Sequence, residues 1–278
     1  MRCRSRLVDT RPGLGRQPGQ GVGNSLVKFA LRLHLSGGER ERLMLKLTSV
    51  DEALPFALLG LTWVTGLVDA VSFLSLGHVF TANMTGNVVF LGFAIAGVPG
   101  VSAARSLASL LAFHVGAMVG GGVLTRARGE VIQPALILFG LEIAFLAAAM
   151  FVATAYHGDL YAASIPLYLI IASTAFAMGM RNAAVRKLGV ADLTTTVLTL
   201  TITGLAANFS LAGGNNPRWQ RRLGSILAMF AGAAAGAILV RRSVFVALAC
   251  GVATMSVCLA LPLAVKQWGL QSRTANPG

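Results

Sequence analysis

Apolar residues run along this chain in blocks too long for the core of an ordinary soluble domain. A helix rises about 1.5 Å per residue, so about 20 mostly apolar residues are needed to cross a ~30 Å hydrocarbon layer. Six blocks meet or approach that length: 53–76, 106–125, 134–155, 165–180, 223–240 and 243–265. Two more segments are shorter and wetter. One is 87–98, opened by Thr81-Ala-Asn-Met-Thr-Gly-Asn87, and the other is 193–211, opened by Thr194-Thr-Thr. The pattern predicts an all-α, polytopic transmembrane helical bundle of six to eight membrane segments, with the lipid bilayer as its partner.

The blocks echo one another. An offset of 113 sets Gly66-Leu-Val-Asp69-Ala against Gly179-Met-Arg-Asn182-Ala and brings Thr81 onto Thr194. An offset of 116 sets Gly116 and Gly120 on Gly232 and Gly236, and Arg126 on Arg242. The expected organisation is therefore two pseudo-symmetric four-segment repeats, 53–155 and 165–265, within a transmembrane domain of 44–266. In each repeat the polar segment comes second, an arrangement found where broken helices line a transport site. Gly116/Gly120 and Gly232/Gly236 are small-residue faces that permit close helix packing, either inside the chain or in a homo-oligomer.

Loop charge separates two topologies. If all eight segments cross, the inner loops hold Arg105, Arg218, Arg221 and Arg222, against Arg126, Arg128, Arg186, Lys187, Arg241 and Arg242 outside. If both polar segments dip in and return, Arg126, Arg128, Arg186, Lys187, Arg218, Arg221 and Arg222 face inward, and only Arg105, Arg241 and Arg242 face out. The positive-inside rule favours the second count, with six crossings and inverted repeats.

Composition agrees: 55% of residues are hydrophobic, 12% are charged and the mean hydropathy is +0.71, where soluble domains carry about 25% charged residues. Residues 1–43 hold nine Lys/Arg against three acids, which reads as a disordered basic extension. They contain no apolar stretch of the kind a secretory signal needs. A start at Met44 is expected, with 26–35 as a candidate surface-lying helix and 267–278 as a short tail. The net charge of +13 is scattered between apolar runs, with no basic face interleaved with aromatics, so nucleic acid is not expected as a partner. Four His and three Cys give no metal-ligand spacing. Nucleotide, zinc-protease and hydrolase motifs are missing, so neither an enzyme nor a cofactor is expected.

Polar residues inside the spans carry the candidate chemistry. Asp69 shares a helical face with Thr62, Thr65 and Ser72, so it points into the bundle either as a functional site or as a structural carboxylate held by hydrogen bonds. Thr81, Asn83, Thr85, Gly86 and Asn87 open a half-helix whose N-terminus suits an anion. Their counterparts include Thr196 and Thr199. Arg181 lies beside Asn182, the counterpart of Asp69, and an Asp69–Arg181 ion pair would cancel both charges. His114 and Glu142 are candidates for a proton relay.

The strings Gly66-Leu-Val-Asp69-Ala, Gly77-His-Val-Phe-Thr-Ala-Asn-Met-Thr85-Gly86-Asn87, Met178-Gly-Met-Arg-Asn182 and Thr194-Thr-Thr-Val-Leu-Thr199 resemble the YoaK family of bacterial membrane proteins, over roughly 50–265. The resemblance implies a multi-pass protein of the bacterial cytoplasmic (inner) membrane, and it brings no established activity. Arg181 stands where the family pattern carries Gln, and Leu200 where Gly often follows Thr. Two readings follow. One is a secondary transporter or permease for a small solute, held among Asp69, Asn83, Thr85, Asn87, Arg181 and Asn182 in a cavity between the repeats. The other is a non-catalytic scaffold or assembly factor in which these residues serve helix packing.

Overall fold

The structure, a computed structural model, describes residues 50–127, 131–156, 164–189, 198–208 and 219–275, with side chains from 56 to 260 inside those ranges. The basic extension, Met44 and Thr194, Thr195 and Thr196 lie outside the described residues. Among the described residues eight α-helices follow in order: α1 Val50–Ser75, α2 Met84–Ile95, α3 Ala103–Arg126, α4 Ile132–Val152, α5 Ile165–Leu188, α6 Leu198–Ala207, α7 Trp219–Val240 and α8 Val244–Ala275. A single 3-10 turn, Ala153–Ala155, closes α4. No strand occurs among the described residues. Among the described residues four helices are long and apolar enough to cross a membrane by length and composition: α1, α3, α4 and α7. At 12 and 10 residues, α2 and α6 reach about 18 and 15 Å, short of a hydrocarbon layer.

Local sequence sets the helix ends. Ser102 and Ser164 cap α3 and α5 by accepting from Arg105 N and Leu167 N, both at 3.4 Å. Gly189 ends α5 in the left-handed conformation that a helix stop favours.

Named contacts order the helix ends. Arg105, in the first turn of α3, lies against Gly77 just beyond α1, and His78 Nδ1 is 3.2 Å from Gly100 O. Tyr156, after α4, donates to Ser75 O at 2.6 Å. The last turn of α1, the first turn of α3 and the end of α4 therefore share one end of the bundle, called end B below. The opposite end A holds the start of α1, the end of α3 and the start of α4. Helix α2 leaves α1 and rejoins α3 at end B without reaching end A.

Two parallel crossings form the frame. Gly116 and Gly120 of α3 sit under the Phe176 and Met180 carbonyls of α5, while Gly179 sits under the Phe113 carbonyl. Gly232 and Gly236 of α7 sit under the Trp63 and Leu67 carbonyls of α1, while Gly66 sits under the Met229 carbonyl. The α1 and α5 positions differ by 113 and the α3 and α7 positions by 116, the offsets found in the sequence. A Cβ at any of these glycines would run into backbone, so helix separation depends on its absence. Of the two alternatives for these faces, packing inside the chain is the one met: both are occupied by helices of the same chain.

Candidate functional site

Two buried polar clusters hang on α1, and the residues picked from sequence divide between them. The first is built on Asp69. Thr62, Thr65, Asp69 and Ser72 are all buried on one face of α1, as their spacing requires. The Asp69 carboxylate accepts from Thr81 N at 3.1 Å and Ala82 N at 2.9 Å through Oδ1, and from Asn83 Nδ2 through Oδ2. These donors immediately precede α2. The anion that suits the start of this half-helix is thus supplied by the chain itself, as Asp69.

Asn87 completes the cluster. Its Oδ1 accepts from Phe80 N at 2.9 Å and its Nδ2 donates to Phe80 O at 2.5 Å, so one side-chain amide pairs with both faces of a backbone residue. Ser109 of α3 adds a bond to Phe80 O at 2.7 Å. Gly86 leaves room for the Phe80 ring, which forms a three-ring cluster with Phe73 at 5.3 Å and Phe90 at 5.6 Å. Gly77, at φ +84°, and His78, at φ +57°, turn the chain back toward Asp69 in a conformation that Gly adopts without strain. Thr81 is fully buried beside them. Thr85 is exposed, as is Thr199 on α6, so the expectation of an enclosed cavity at these two residues is corrected: both hydroxyls lie on the outer face of a short helix.

The second cluster is the ion pair of Arg181 with Glu142, Nη2 to Oε1 at 2.6 Å, with both side chains 0% exposed. Arg181 Nη1 donates to Leu61 O at 2.5 Å and Thr65 Oγ1 at 2.9 Å, and Nη2 lies 2.6 Å from Met178 Sδ. The Thr65 hydroxyl donates onward to Leu61 O at 3.0 Å. The pairing of Arg181 with Asp69 is therefore corrected. Arg181 meets α1 one to two turns before Asp69, where Glu142 of α4 faces it, and Asp69 is already committed to the loop. Asn182 turns to the Met178 carbonyl of its own helix, at 2.8 Å. His114 is exposed on α3 and bonded to Leu110 O at 2.7 Å, so it forms no relay with the buried Glu142.

The pair is not saturated. Among the described residues, Glu142 Oε2 and Arg181 Nε have no hydrogen-bond partner, and Oε1 meets the guanidinium in the 2.6 Å ion-pair contact. Toward end A lies a crevice of about 30 Å³, on the scale of one water molecule. Its walls are apolar and come from α1, α4, α5 and α8, among them Leu58, Leu61, Phe139, Leu188 and Cys258. No group of three or more His, Cys, Asp or Glu suited to a metal occurs among the described residues.

The sequence reading missed the Glu142–Arg181 pairing and the role of Ser109. The signal for the first was present: Arg181 is the lone cation inside an otherwise neutral stretch of α5, and Glu142 is the lone acid in α4. Arg105 and Arg222, counted there as loop charges, are mostly buried. Arg105 packs on Gly77, and Arg222 donates to Gly204 O.

Comparison with known proteins fits a membrane assignment. UPF0700 transmembrane protein YoaK of Bacillus subtilis (strain 168) is 35% identical over 145 residues, which take in 52% of this chain and 62% of the relative. No solved structure matches the chain. A family model described as "Protein of unknown function (DUF1275)" matches residues 57–261. With apolar helices of spanning length and that match over most of its length, this multi-pass membrane protein belongs to the DUF1275 family.

Proposed function

We propose that the protein is a secondary carrier for a small solute, built from two inverted four-helix repeats of α1–α4 and α5–α8 in the bacterial cytoplasmic membrane. It does no covalent chemistry. The carrying observation is the Arg181–Glu142 pair, two opposite charges with unused bonding capacity deep among spanning helices. An ionisable pair is costly in such a place and tends to mark a solute or ion path. Three features support the repeat architecture. The two glycine crossings use matching positions, each half has a short second helix, and α1 and α5 run in opposite directions. Six crossings follow if α2 and α6 return to the side they left. End A then carries Arg126, Arg186, Lys187, Arg221 and Arg222 and faces the cytoplasm by the positive-inside rule.

A second reading, a scaffold whose polar residues serve packing, is favoured by the Asp69 cluster, in which Asp69 and Asn87 are fully engaged by chain atoms. Gradient-driven uptake by proteoliposomes decides between them. Uptake above empty vesicles that is lost in Glu142→Ala, while the variant stays folded, supports the carrier. The absence of any uptake across a panel of small organic anions, cations and neutral solutes leaves the scaffold. Cysteines introduced at Ala127 and at Gly100 test the topology. Labelling of the first from the cytoplasm and the second from outside is expected, and labelling of both from one side would overturn six crossings.

A further inference from the structure

The two glycine crossings do not join a repeat to itself. Gly116, Gly120 and Gly179 fix α3 of the first repeat on α5 of the second, while Gly232, Gly236 and Gly66 fix α7 of the second on α1 of the first. Further contacts extend each pair. On α5, Phe176 lies 4.7 Å from Phe145 of α4 between ring centroids, and Arg181 meets Glu142 of the same helix. On α1, Gly60 leaves room for Cys258 of α8, and Leu67 touches Gly251 of α8. The helices therefore sort into two triplets, α3–α4–α5 and α1–α7–α8, in which the repeats have exchanged α1 and α5.

The seam between the triplets is uneven. At end B, Tyr156 after α4 donates to Ser75 O of α1, and Asp69 of α1 holds the loop that leads to α2 and α3. Midway, Arg181 Nη1 donates to Leu61 O and Thr65 Oγ1 of α1. From there to end A no hydrogen bond or ion pair joins described residues across the seam. The contact there is apolar, and the crevice lies in it, walled by Leu58 of α1, Phe139 of α4, Leu188 of α5 and Met255 of α8. Backbones in glycine contact lose their packing as soon as they separate. An apolar seam that already holds a void has less to lose.

We infer that the triplets α3–α4–α5 and α1–α7–α8 move as rigid bodies that part at end A about the ties at end B, with the bonds from Arg181 to Leu61 and Thr65 as the latch. The inference rests on the carrier reading and gives it its moving parts. With the seam closed, Arg181 and Glu142 are sealed. Release of Arg181 from α1 opens a way to them from end A, the end that carries Arg126, Arg186 and Lys187. Both members of the ion pair ride on one triplet, so opening leaves neither charge alone. Its cost is the two latch bonds, which water entering from end A replaces.

Double electron–electron resonance between nitroxide pairs on the full chain in lipid nanodiscs tests this, with Cys3, Cys250 and Cys258 replaced by Ala and labels on cysteines introduced at exposed positions of end A. Thr125 and Lys187 lie in different repeats but one triplet, and one narrow distance is expected between them. Lys187 and Leu223 share a repeat but not a triplet, and two distances are expected, the second longer. Movement of the repeats as units predicts the reverse and would overturn the inference. Thr65→Val takes one acceptor from the latch and is expected to raise the ratio of the longer to the shorter Lys187–Leu223 distance about ten-fold, the factor that goes with one hydrogen bond to a charged donor. Thr65→Ser keeps the hydroxyl and is expected to match the parent chain. Single distances for both pairs in the parent and in Thr65→Val, an unchanged ratio in Thr65→Val, or a second distance within the triplet would each overturn the inference. Uptake by proteoliposomes is scored separately. A moving seam without uptake keeps the triplets and removes the carrier, whereas uptake with an unmoved seam keeps the carrier and removes this division.

Discussion

Asp69 and Glu142 are both carboxylates buried in the same helical bundle, and they are held in opposite ways. Asp69 receives two backbone N–H groups and a side-chain amide from a loop folded back against it, so its charge is spread over donors that have no other use. Glu142 faces one guanidinium, which reaches one carboxylate oxygen at 2.6 Å, and its other oxygen has no hydrogen-bond partner among the described residues. The first arrangement fixes a half-helix in place and leaves little for a solute to bind. The second holds two charges in register with bonding sites open, which suits exchange. Intramembrane charge alone therefore does not single out the functional residue; the completeness of its shell separates the two cases.

The comparison is broken most strongly by removing one charge of the pair. Glu142→Ala leaves Arg181 buried and uncompensated, an imbalance that typically costs about 3–5 kcal/mol. A large fall in thermal unfolding temperature in detergent is expected. The double change Glu142→Leu with Arg181→Met is expected to recover most of it, because an apolar replacement of similar volume no longer leaves a lone charge. A double variant as unstable as the single one would show that the pair, and not its balance, holds the helices together.

Asp69→Ala comes next. It strips the Thr81 and Ala82 amides of their acceptor, and each unmet buried donor costs about 1–3 kcal/mol. Asp69→Asn retains one oxygen and is expected to be milder. Because this cluster is assigned to packing, solute uptake by whatever folded Asp69→Asn protein is recovered should be unchanged. A loss of uptake at full stability would move the solute site to Asp69.

Much of this was legible in the chain, and the reasons are local. The apolar blocks mark the helices because lipid demands a continuous run, and the 113 and 116 offsets mark the crossings because only glycine lets two backbones meet there. Thr62, Thr65, Asp69 and Ser72 announced a buried face through spacing alone. The partners of the charges were not legible. The 113-residue offset aligns Asp69 with Asn182, and alignment in sequence is not contact, so the neighbour of Asn182 had no reason to touch Asp69. The Thr-Gly-Asn string read as a solute site because its polar atoms were visible and the backbone of Phe80, which occupies them, carries no signature in sequence.

Gly86→Ala makes a finer test of that last point. A methyl at position 86 would lie 2.5 Å from the edge of the Phe80 ring, so the ring must shift in its cluster with Phe73 and Phe90. Overpacking of this kind costs about 1–3 kcal/mol, while helix propensity returns up to about 1 kcal/mol. A modest net loss of stability is expected. An increase would mean that the ring yields freely and that the loop is held by Asp69 and Asn87 alone.

The smallest effect is expected at His114. Its ring is exposed on α3 between Leu111 and Val115, both also exposed, and it bonds to Leu110 O within its own helix. Substitutions at such positions usually fall within about 0.5 kcal/mol, so His114→Ala is expected to leave both the unfolding temperature in detergent and solute uptake by proteoliposomes unchanged. Loss of uptake at full stability would place a functional group on the outer face of α3, and the contrast between a closed Asp69 and an open Glu142 would no longer account for the site.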